Sequence, residues 1–184
     1  GNFYIHTNLN AEDYKICIVG LGYVGLPLAS RFSLKGFDIT GFDIKEERIN
    51  QLVNKIDINN DISDTNLKTL VKNSKLTSNI DEIKESNIFI ITVPTPINED
   101  KTPDLEPLIA SSILVGSIIT KDAIVIYEST VYPGVTDEIC TPILEQKSKL
   151  IFNKEFSTGY SPERVVPGDK LNTIEKIKKV VSGS

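Results

Sequence analysis

Three glycines at a fixed spacing follow an apolar run near the N-terminus. Residues 15–25 read KICIVGLGYVG, which places the glycines at Gly20, Gly22 and Gly25. In a Gly-x-Gly-x-x-Gly turn, the first glycine allows a tight bend out of a strand and the second lets the backbone approach a pyrophosphate. The third lets the following helix pack closely on the sheet. Because the N-terminus of that helix offers unpaired N–H groups and positive dipole charge, the spacing predicts a diphosphate site.

A carboxylate follows at the place where such a site uses one. Residues 37–43 read FDITGFD, which predicts a second strand ending in Asp43. A carboxylate there accepts hydrogen bonds from the adenosine ribose hydroxyls and repels a 2′-phosphate, so the predicted cofactor is NAD rather than NADP. Asp43 could instead cap a helix that starts near Lys45, and the two roles are compatible.

Strand and helix patterns alternate along the chain and must position these residues. Apolar, β-branched runs predict strands at 16–19, 39–42, 87–93, 123–127 and 156–160, and helical spacing predicts helices at 26–34, 45–53, 64–72, 104–119, 136–147 and 174–181. This alternation predicts an α/β fold, Rossmann-like and doubly wound, with a mainly parallel sheet and helices on both faces. Ligands of such sheets bind outside the carboxyl ends of the strands. The polar tips at those ends are residues 20–25, Asp43, Thr95, Ser129 with Thr130, and Glu163 with Arg164.

The helix predicted at 45–53 and the stretch after it carry less information. Ile49, Leu52 and Val53 recur at helical spacing, which predicts that they face the core and that Arg48 faces elsewhere. Residues 54–63 are rich in Asp and Asn with isolated isoleucines. We expect an excursion from the sheet, to which the sequence alone assigns no chemistry.

Composition limits the class of protein. The 184 residues fit one ordinary domain, and the net charge of −5 comes from acids and bases mixed along the chain. This balance argues against a nucleic-acid surface or a polybasic membrane patch. There is no apolar stretch of membrane-spanning length, and the opening residues lack the order of a signal peptide. We expect a cytoplasmic protein that binds neither nucleic acid nor membrane.

The two cysteines and the single histidine point away from thiol or metal chemistry. Cys17 lies inside the first predicted strand, and Cys140 lies on a predicted helix without a basic neighbour, so we expect both to be structural. His6 is the only histidine. A metal cluster or a Ser-His-Asp triad is therefore not expected.

Five segments of the chain resemble, in the same order, motifs of the UDP-glucose/GDP-mannose dehydrogenase family of nucleotide-sugar 6-dehydrogenases. The resemblance is greatest to the bacterial branch that acts on UDP-N-acetylhexosamines. The segments are VGLGYVGLP at 19–27, GFDI at 41–44, VPTP at 93–96, ESTVYPG at 128–134 and YSPERVVPGD at 160–169. The resemblance implies that 15–184 form an NAD-binding domain. Residues 1–14 are left as a lead, and since the chain has no methionine, an expression tag is one explanation for part of them.

The resemblance also implies an activity and assigns residues to it. The implied activity is an NAD-linked, two-step oxidation of a sugar C6 alcohol to a carboxylate, with two NAD reduced per turnover. The implied cofactor contacts are Gly20, Gly22, Tyr23, Val24, Gly25, Asp43, Ile44, Arg48, Val93, Thr95 and Thr130. Tyr23 and Val24 would lie against the pyrophosphate, and Arg48 would flank the adenine.

At the reacting end, Glu163 matches the family's acid that activates the water for hydrolysis of a thioester, with Thr130 helping to position that water. Glu163, Arg164 and Val165 would line the substrate. Without the other motifs, Thr130 could simply end a strand and Glu163 brace a turn.

One departure bears on the sugar. UDP-glucose enzymes tend to carry a second acid four residues after the Ser-Pro-Glu acid, where this chain has Pro167. The departure favours an N-acetylated hexosamine of the galactosamine or mannosamine type over glucose.

The remaining catalytic parts of the family lie downstream of the matched motifs. These parts are a lysine, an asparagine, a thiol nucleophile, a dimer-forming helix and a second α/β domain. We therefore expect the cofactor-binding domain of a longer enzyme, a homodimer or higher homo-oligomer in full, that cannot complete turnover alone. Alternatives are a UDP-glucose or GDP-mannose dehydrogenase, a β-hydroxyacid-type dehydrogenase and a non-catalytic NAD-sensing module.

The resemblance also implies a pathway, because nucleotide-sugar dehydrogenases of this family usually supply surface polysaccharide synthesis, for example of capsule or O-antigen.

Overall fold

Six parallel strands form one sheet in a computed structural model of the chain, which describes residues 14–128 and 135–159. The strands lie in the order β3-β2-β1-β4-β5-β6. Their bounds are β1 Lys15–Val19, β2 Asp38–Phe42, β3 Lys75–Thr77, β4 Ile88–Ile91, β5 Ala123–Tyr127 and β6 Phe156–Gly159. The order reverses direction between β1 and β4, and this reversal defines the topological switch point of a doubly wound sheet. The predicted fold class is confirmed.

Five α-helices and a short 3₁₀ helix accompany the strands in the described part of the chain. They are α1 Gly25–Leu34, α2 Glu46–Val53, α3 Asp64–Asn73, α4 Glu106–Gly116, α5 Val135–Ser148 and the 3₁₀ helix Ile80–Ile83. Local features explain where α1 ends and where α3 begins. Gly36, just past α1, has a φ of +86°, and the Ser63 hydroxyl accepts a hydrogen bond from the N–H of Asn66 as the N-cap of α3.

The two faces of the sheet are buried under separate apolar clusters. In β1, Ile16 and Ile18 join one cluster with Phe32 of α1, while Cys17 and Val19 join the other, which includes residues of α4 and α5. Successive side chains of a strand point to opposite faces. A continuous apolar run is therefore what a central strand needs when helices cover both faces.

The register of the central strands brings three loops to the same edge. Val19 of β1 pairs with Phe42 of β2 on one side and with Ile91 of β4 on the other. All three residues end their strands. The loops that leave β1, β2 and β4 therefore start side by side at the switch point.

Both cysteines belong to a buried apolar cluster of the sheet. Cys17 and Cys140 are fully buried, and burial raises the pKa of both thiols. Hydrogen bonds with Ser112 and Tyr127 offset only part of that rise in the pKa of Cys140.

Among the described residues, no three His, Cys, Asp or Glu side chains are grouped as a metal site would require. No described helix is both long and apolar enough to cross a bilayer.

The predicted orientation of α2 is wrong at two positions. Val53 is 47% exposed, whereas Arg48, which we expected to face away from the core, is 9% exposed. Helical periodicity treats arginine as a surface residue, and it does not reveal acids that arrive from later in the chain. The predicted helix at 174–181 lies outside the described residues.

Candidate functional site

A cleft of about 540 Å³ opens at the carboxyl ends of β1, β2 and β4. Its volume lies in the range of small-molecule sites. The walls come from residues 20–22, 43–45, 58–59 and 92–94, from one face of α2 and from one face of α4. The cleft is therefore at the switch point, where ligands of doubly wound sheets bind.

The three glycines of the turn meet three different surroundings. Gly20 has a φ of +99°, a backbone conformation that other residues rarely adopt. A Cβ at Gly25 would overlap the carbonyl oxygen of Gly20 and the hydroxyl of Thr92. A Cβ at Gly22 would meet nothing within 4 Å. The turn is thus closed against α1 at Gly25 and open on its outer side at Gly22.

Thr92 holds the glycine turn against the neighbouring strand, and the sequence analysis did not predict this role. Its hydroxyl donates to the carbonyl oxygen of Gly20, 2.6 Å away, and lies 3.1 Å from that of Val19. Its main-chain N–H donates to the Val19 carbonyl at 2.9 Å. A threonine just after the apolar run of β4 was the available signal, but its partners are more than 70 residues away in sequence.

Asp43 connects the end of β2 to the glycine turn. One carboxylate oxygen accepts a hydrogen bond from the N–H of Leu21 at 3.0 Å, and the other accepts from the N–H of Lys45 at 2.9 Å. Helix α2 starts at Glu46 with Lys45 as its N-cap residue. Asp43 therefore binds backbone on both sides of the cleft edge, and each oxygen retains capacity to accept a further hydrogen bond.

Arg48 makes three polar contacts from inside the cleft wall. Its Nε donates to the carbonyl oxygen of Leu21 at 2.8 Å. Its two terminal nitrogens donate to Asp57 at 3.0 Å and to Asp61 at 3.2 Å. The three side chains are 10%, 4% and 10% exposed, respectively. These acids belong to the polar stretch to which the sequence assigned no chemistry.

The carboxylate of Asp57 organises the loop after α2. It accepts hydrogen bonds from the N–H groups of Asn59, Asp61 and Ile62. Burial alone would raise the pKa of Asp57, but the hydrogen bond from Arg48 and those from the backbone outweigh it and hold that pKa below its usual value. The loop therefore keeps a charged acid beside Arg48 and holds Asn59 in the cleft wall.

Exposed apolar side chains form another part of the wall. Ile44 is 74% exposed and Ile58 is 64% exposed, and both line the cleft with Pro94 and with Ala110 and Leu114 of α4. Apolar surface of this kind suits one face of a planar ring. The contribution of α4 was not predicted, because the sequence gives no measure of where that helix crosses the sheet.

The structure brings together some of the predicted site residues and leaves others out. Gly20, Gly22, Asp43, Ile44, Arg48 and Val93 line the cleft. Tyr23, Val24, Gly25 and Thr95 are described but do not line it, and Tyr23 is 72% exposed at the turn before α1. Ser129, Thr130, Glu163, Arg164 and Val165 lie outside the described residues. The assignments of all these residues therefore stay predictions.

The parallel sheet, the glycine turn and the acid after β2 together define a dinucleotide-binding domain of the Rossmann class. The comparisons with known proteins specify the family. Residues 14–184 match the model of the UDP-glucose/GDP-mannose dehydrogenase family, NAD binding domain. The chain belongs to this family, and its cofactor is NAD.

Relatives with known names agree with that assignment. The chain is 51% identical to UDP-N-acetyl-D-glucosamine 6-dehydrogenase of Salmonella typhi, over 94% of this chain and 40% of that protein. It is 52% identical to Protein CapL of Staphylococcus aureus, over 91% and 39%. A solved UDP-D-ManNAc dehydrogenase from Pyrococcus horikoshii superposes with a TM-score of 0.77 at 31% identity, over 91% of this chain and 44% of that one. The chain thus spans about two fifths of the length of these relatives.

Proposed function

We propose that this chain is the NAD-binding part of a nucleotide-sugar 6-dehydrogenase. The complete enzyme oxidises the C6 alcohol of a UDP-N-acetylhexosamine to the uronic acid and reduces two NAD. The observation that carries the proposal is the cleft at the switch point, which both the glycine turn and Asp43 line. The chain that forms this cleft belongs to the dehydrogenase family. The lysine, asparagine and thiol that the reaction needs would come from the rest of the enzyme.

Among N-acetylhexosamines, we propose UDP-N-acetyl-D-glucosamine as the substrate. The absence of a second acid at Pro167 pointed to an N-acetylated sugar of the galactosamine or mannosamine type. Relatives named for N-acetyl-D-glucosamine are 51% and 50% identical, whereas a relative named for N-acetyl-D-mannosamine is 34% identical. The higher identities support the glucosamine. We further propose that the enzyme is a bacterial cytoplasmic homo-oligomer that supplies surface polysaccharide synthesis.

NAD would lie across the cleft with its adenosine at β2 and its nicotinamide toward β4 and β5. The pyrophosphate would rest on the backbone between Gly20 and Gly25, at the N-terminus of α1, where open space faces Gly22. The hydroxyls of the adenosine ribose would donate hydrogen bonds to the carboxylate oxygens of Asp43, which can each accept one more. The adenine would lie against Ile44 and the apolar wall from α4.

The chemistry would take place beyond the described part of this cleft. NAD supplies the acceptor for the hydride when it is bound. We assign to Glu163 the proton transfer that activates water for the second step, and to Thr130 the positioning of that water. Arg164 and Val165 would line the sugar site, and Val93 and Thr95 would lead to it from the cofactor.

Calorimetric titration of the 184-residue chain with NAD and NADP tests the cofactor site. NAD should bind more tightly, and Asp43→Ala should weaken NAD by about 1.5–3 kcal/mol, the scale of a lost hydrogen bond to a charged group. Asp38→Ala is the matched control, because Asp38 is exposed at the opposite end of the same strand. Equal affinities for NAD and NADP would refute the role of Asp43.

A second experiment tests the proposed chemistry in the complete enzyme. Glu163→Gln should abolish formation of the carboxylate product while NAD binding survives. Unaltered acid production in this variant would remove Glu163 from the mechanism.

A further inference from the structure

We propose that Asp57 and Asp61 contribute to the choice of NAD over NADP by engaging Arg48. The inference rests on the proposed binding of NAD in the cleft. It gives a function to the loop after α2, and it adds a second selective element to the one predicted at Asp43.

Arg48 is the residue that a 2′-phosphate would be expected to use. It lines the same cleft as Asp43, which is placed for the adenosine ribose. In NADP-binding domains of this class, an arginine near the ribose pairs with the 2′-phosphate, commonly through two parallel hydrogen bonds. By its charge and its place in the cleft, Arg48 is therefore a side chain that could pair with a 2′-phosphate if it were not otherwise engaged.

The observed contacts occupy that guanidinium within the protein. One terminal nitrogen donates to Asp57 and the other to Asp61, while Nε donates to the carbonyl of Leu21. Every nitrogen of the group thus has a protein acceptor. Two of the five guanidinium N–H groups remain, one on each terminal nitrogen, and a phosphate that used them would share Arg48 with two carboxylates that are themselves nearly buried.

The local charge also disfavours a phosphate. Arg48 contributes one positive charge, and Asp57 and Asp61 contribute two negative ones, so the group as a whole is negative before Asp43 is added. Lys45 and Glu47, which also line the cleft, offset one another. A 2′-phosphate would therefore enter a negative environment, whereas the uncharged 2′-hydroxyl of NAD would not be repelled.

The two acids differ in how they are held, and this makes the inference testable. Asp57 also accepts hydrogen bonds from three backbone N–H groups of its own loop. Asp61 contributes its carboxylate to Arg48. Asp61→Asn should therefore remove one negative charge from Arg48 and leave the turn around Asp57 in place.

The test is calorimetric titration of the wild-type chain, Asp61→Asn and Asp64→Asn with NAD and with NADP. Asp64 is the matched control because it is an exposed acid three residues along the chain, at the start of α3. We expect Asp61→Asn to raise the affinity for NADP about tenfold, because the loss of one nearby negative charge reduces the repulsion of the 2′-phosphate. The affinity for NAD should change less than about twofold. Asp64→Asn should leave the ratio of the two affinities unchanged.

The outcomes separate this inference from the proposed function. If the wild-type chain binds NAD and Asp61→Asn leaves the NAD to NADP ratio at the wild-type value, the inference is overturned while the proposed function stands. If the wild-type chain binds neither nucleotide, both fail. Thermal unfolding of each variant reports whether it is folded. Should Asp61→Asn not fold, Asp57→Asn replaces it, with a shift of the same sign expected and an unchanged ratio counting against the proposal.

Discussion

The hydroxyl of Thr92 lies 2.6 Å from the carbonyl oxygen of Gly20 and donates a hydrogen bond to it. These residues follow β4 and β1, the two strands between which the sheet reverses its order. The bond fixes the start of the glycine turn to the next strand before any ligand arrives. A preshaped turn loses less conformational freedom on binding, which favours affinity.

Replacing Thr92 by valine should weaken both the fold and the binding of NAD. Valine has nearly the same shape but cannot donate to Gly20, so we expect a loss of about 1–2 kcal/mol in the free energy of unfolding. Thr92→Ser keeps the hydroxyl and is the control. Urea unfolding and calorimetry with NAD measure the two effects. Equal behaviour of the valine and serine variants would show that the hydroxyl does not hold the turn.

Alanine substitutions at two glycines of the turn should have opposite signatures. Gly25→Ala forces a Cβ onto the Gly20 carbonyl, so it should lower the unfolding temperature strongly. Gly22→Ala places its Cβ in open space, so it should leave the unfolding temperature within a few degrees of wild type. It should still weaken NAD, because the new methyl occupies the path of the pyrophosphate.

Thermal unfolding with and without NAD checks this pair. The expected contrast is a destabilised protein for Gly25→Ala and a stable protein with impaired binding for Gly22→Ala. A Gly22→Ala variant that binds NAD as well as wild type would place the pyrophosphate elsewhere.

The pH dependence of stability should report the contacts of Asp57. The pKa of Asp57 is lower in the folded protein than in the unfolded chain. The stabilising contribution of Asp57 to the free energy of unfolding is therefore fully present above the unfolded pKa of about 3.9, and it is lost as the pH falls through the lower folded value. Asp57→Asn lacks this contribution. The difference in unfolding free energy between wild type and this variant should therefore be largest near pH 7 and shrink below about pH 4.

Urea unfolding of both proteins between pH 7 and pH 3 measures that difference. Asp64→Asn serves as the comparison, because its carboxylate is exposed in the first turn of α3. A difference that stays constant down to pH 3 would mean that Asp57 is not held as a charged acid in the folded protein.

The central strands could be predicted closely from the sequence. The structure places β5 at Ala123–Tyr127, the predicted range, and extends β1 by Lys15 alone. A strand buried on both faces must be apolar throughout, and such a run is a strong local signal. The glycine turn and Asp43 were likewise readable, since their spacing relative to those strands is fixed by the fold.

The contacts that shape the cleft could not be predicted in the same way. Arg48 meets acids 9 and 13 residues later, in a stretch without periodicity, and burial of an arginine becomes acceptable only once such partners are known. The bond from Thr92 to Gly20 spans 72 residues and depends on strand register. Long-range pairing of polar groups leaves no local pattern for sequence analysis to detect.

A crystal structure of this chain with NAD would test the central claim most directly. We predict the pyrophosphate on the backbone between Gly20 and Gly25, and the adenosine ribose within hydrogen-bonding distance of Asp43. Arg48 should remain paired with Asp57 and Asp61. A nucleotide bound outside the cleft, or a ribose beyond the reach of Asp43, would contradict the account.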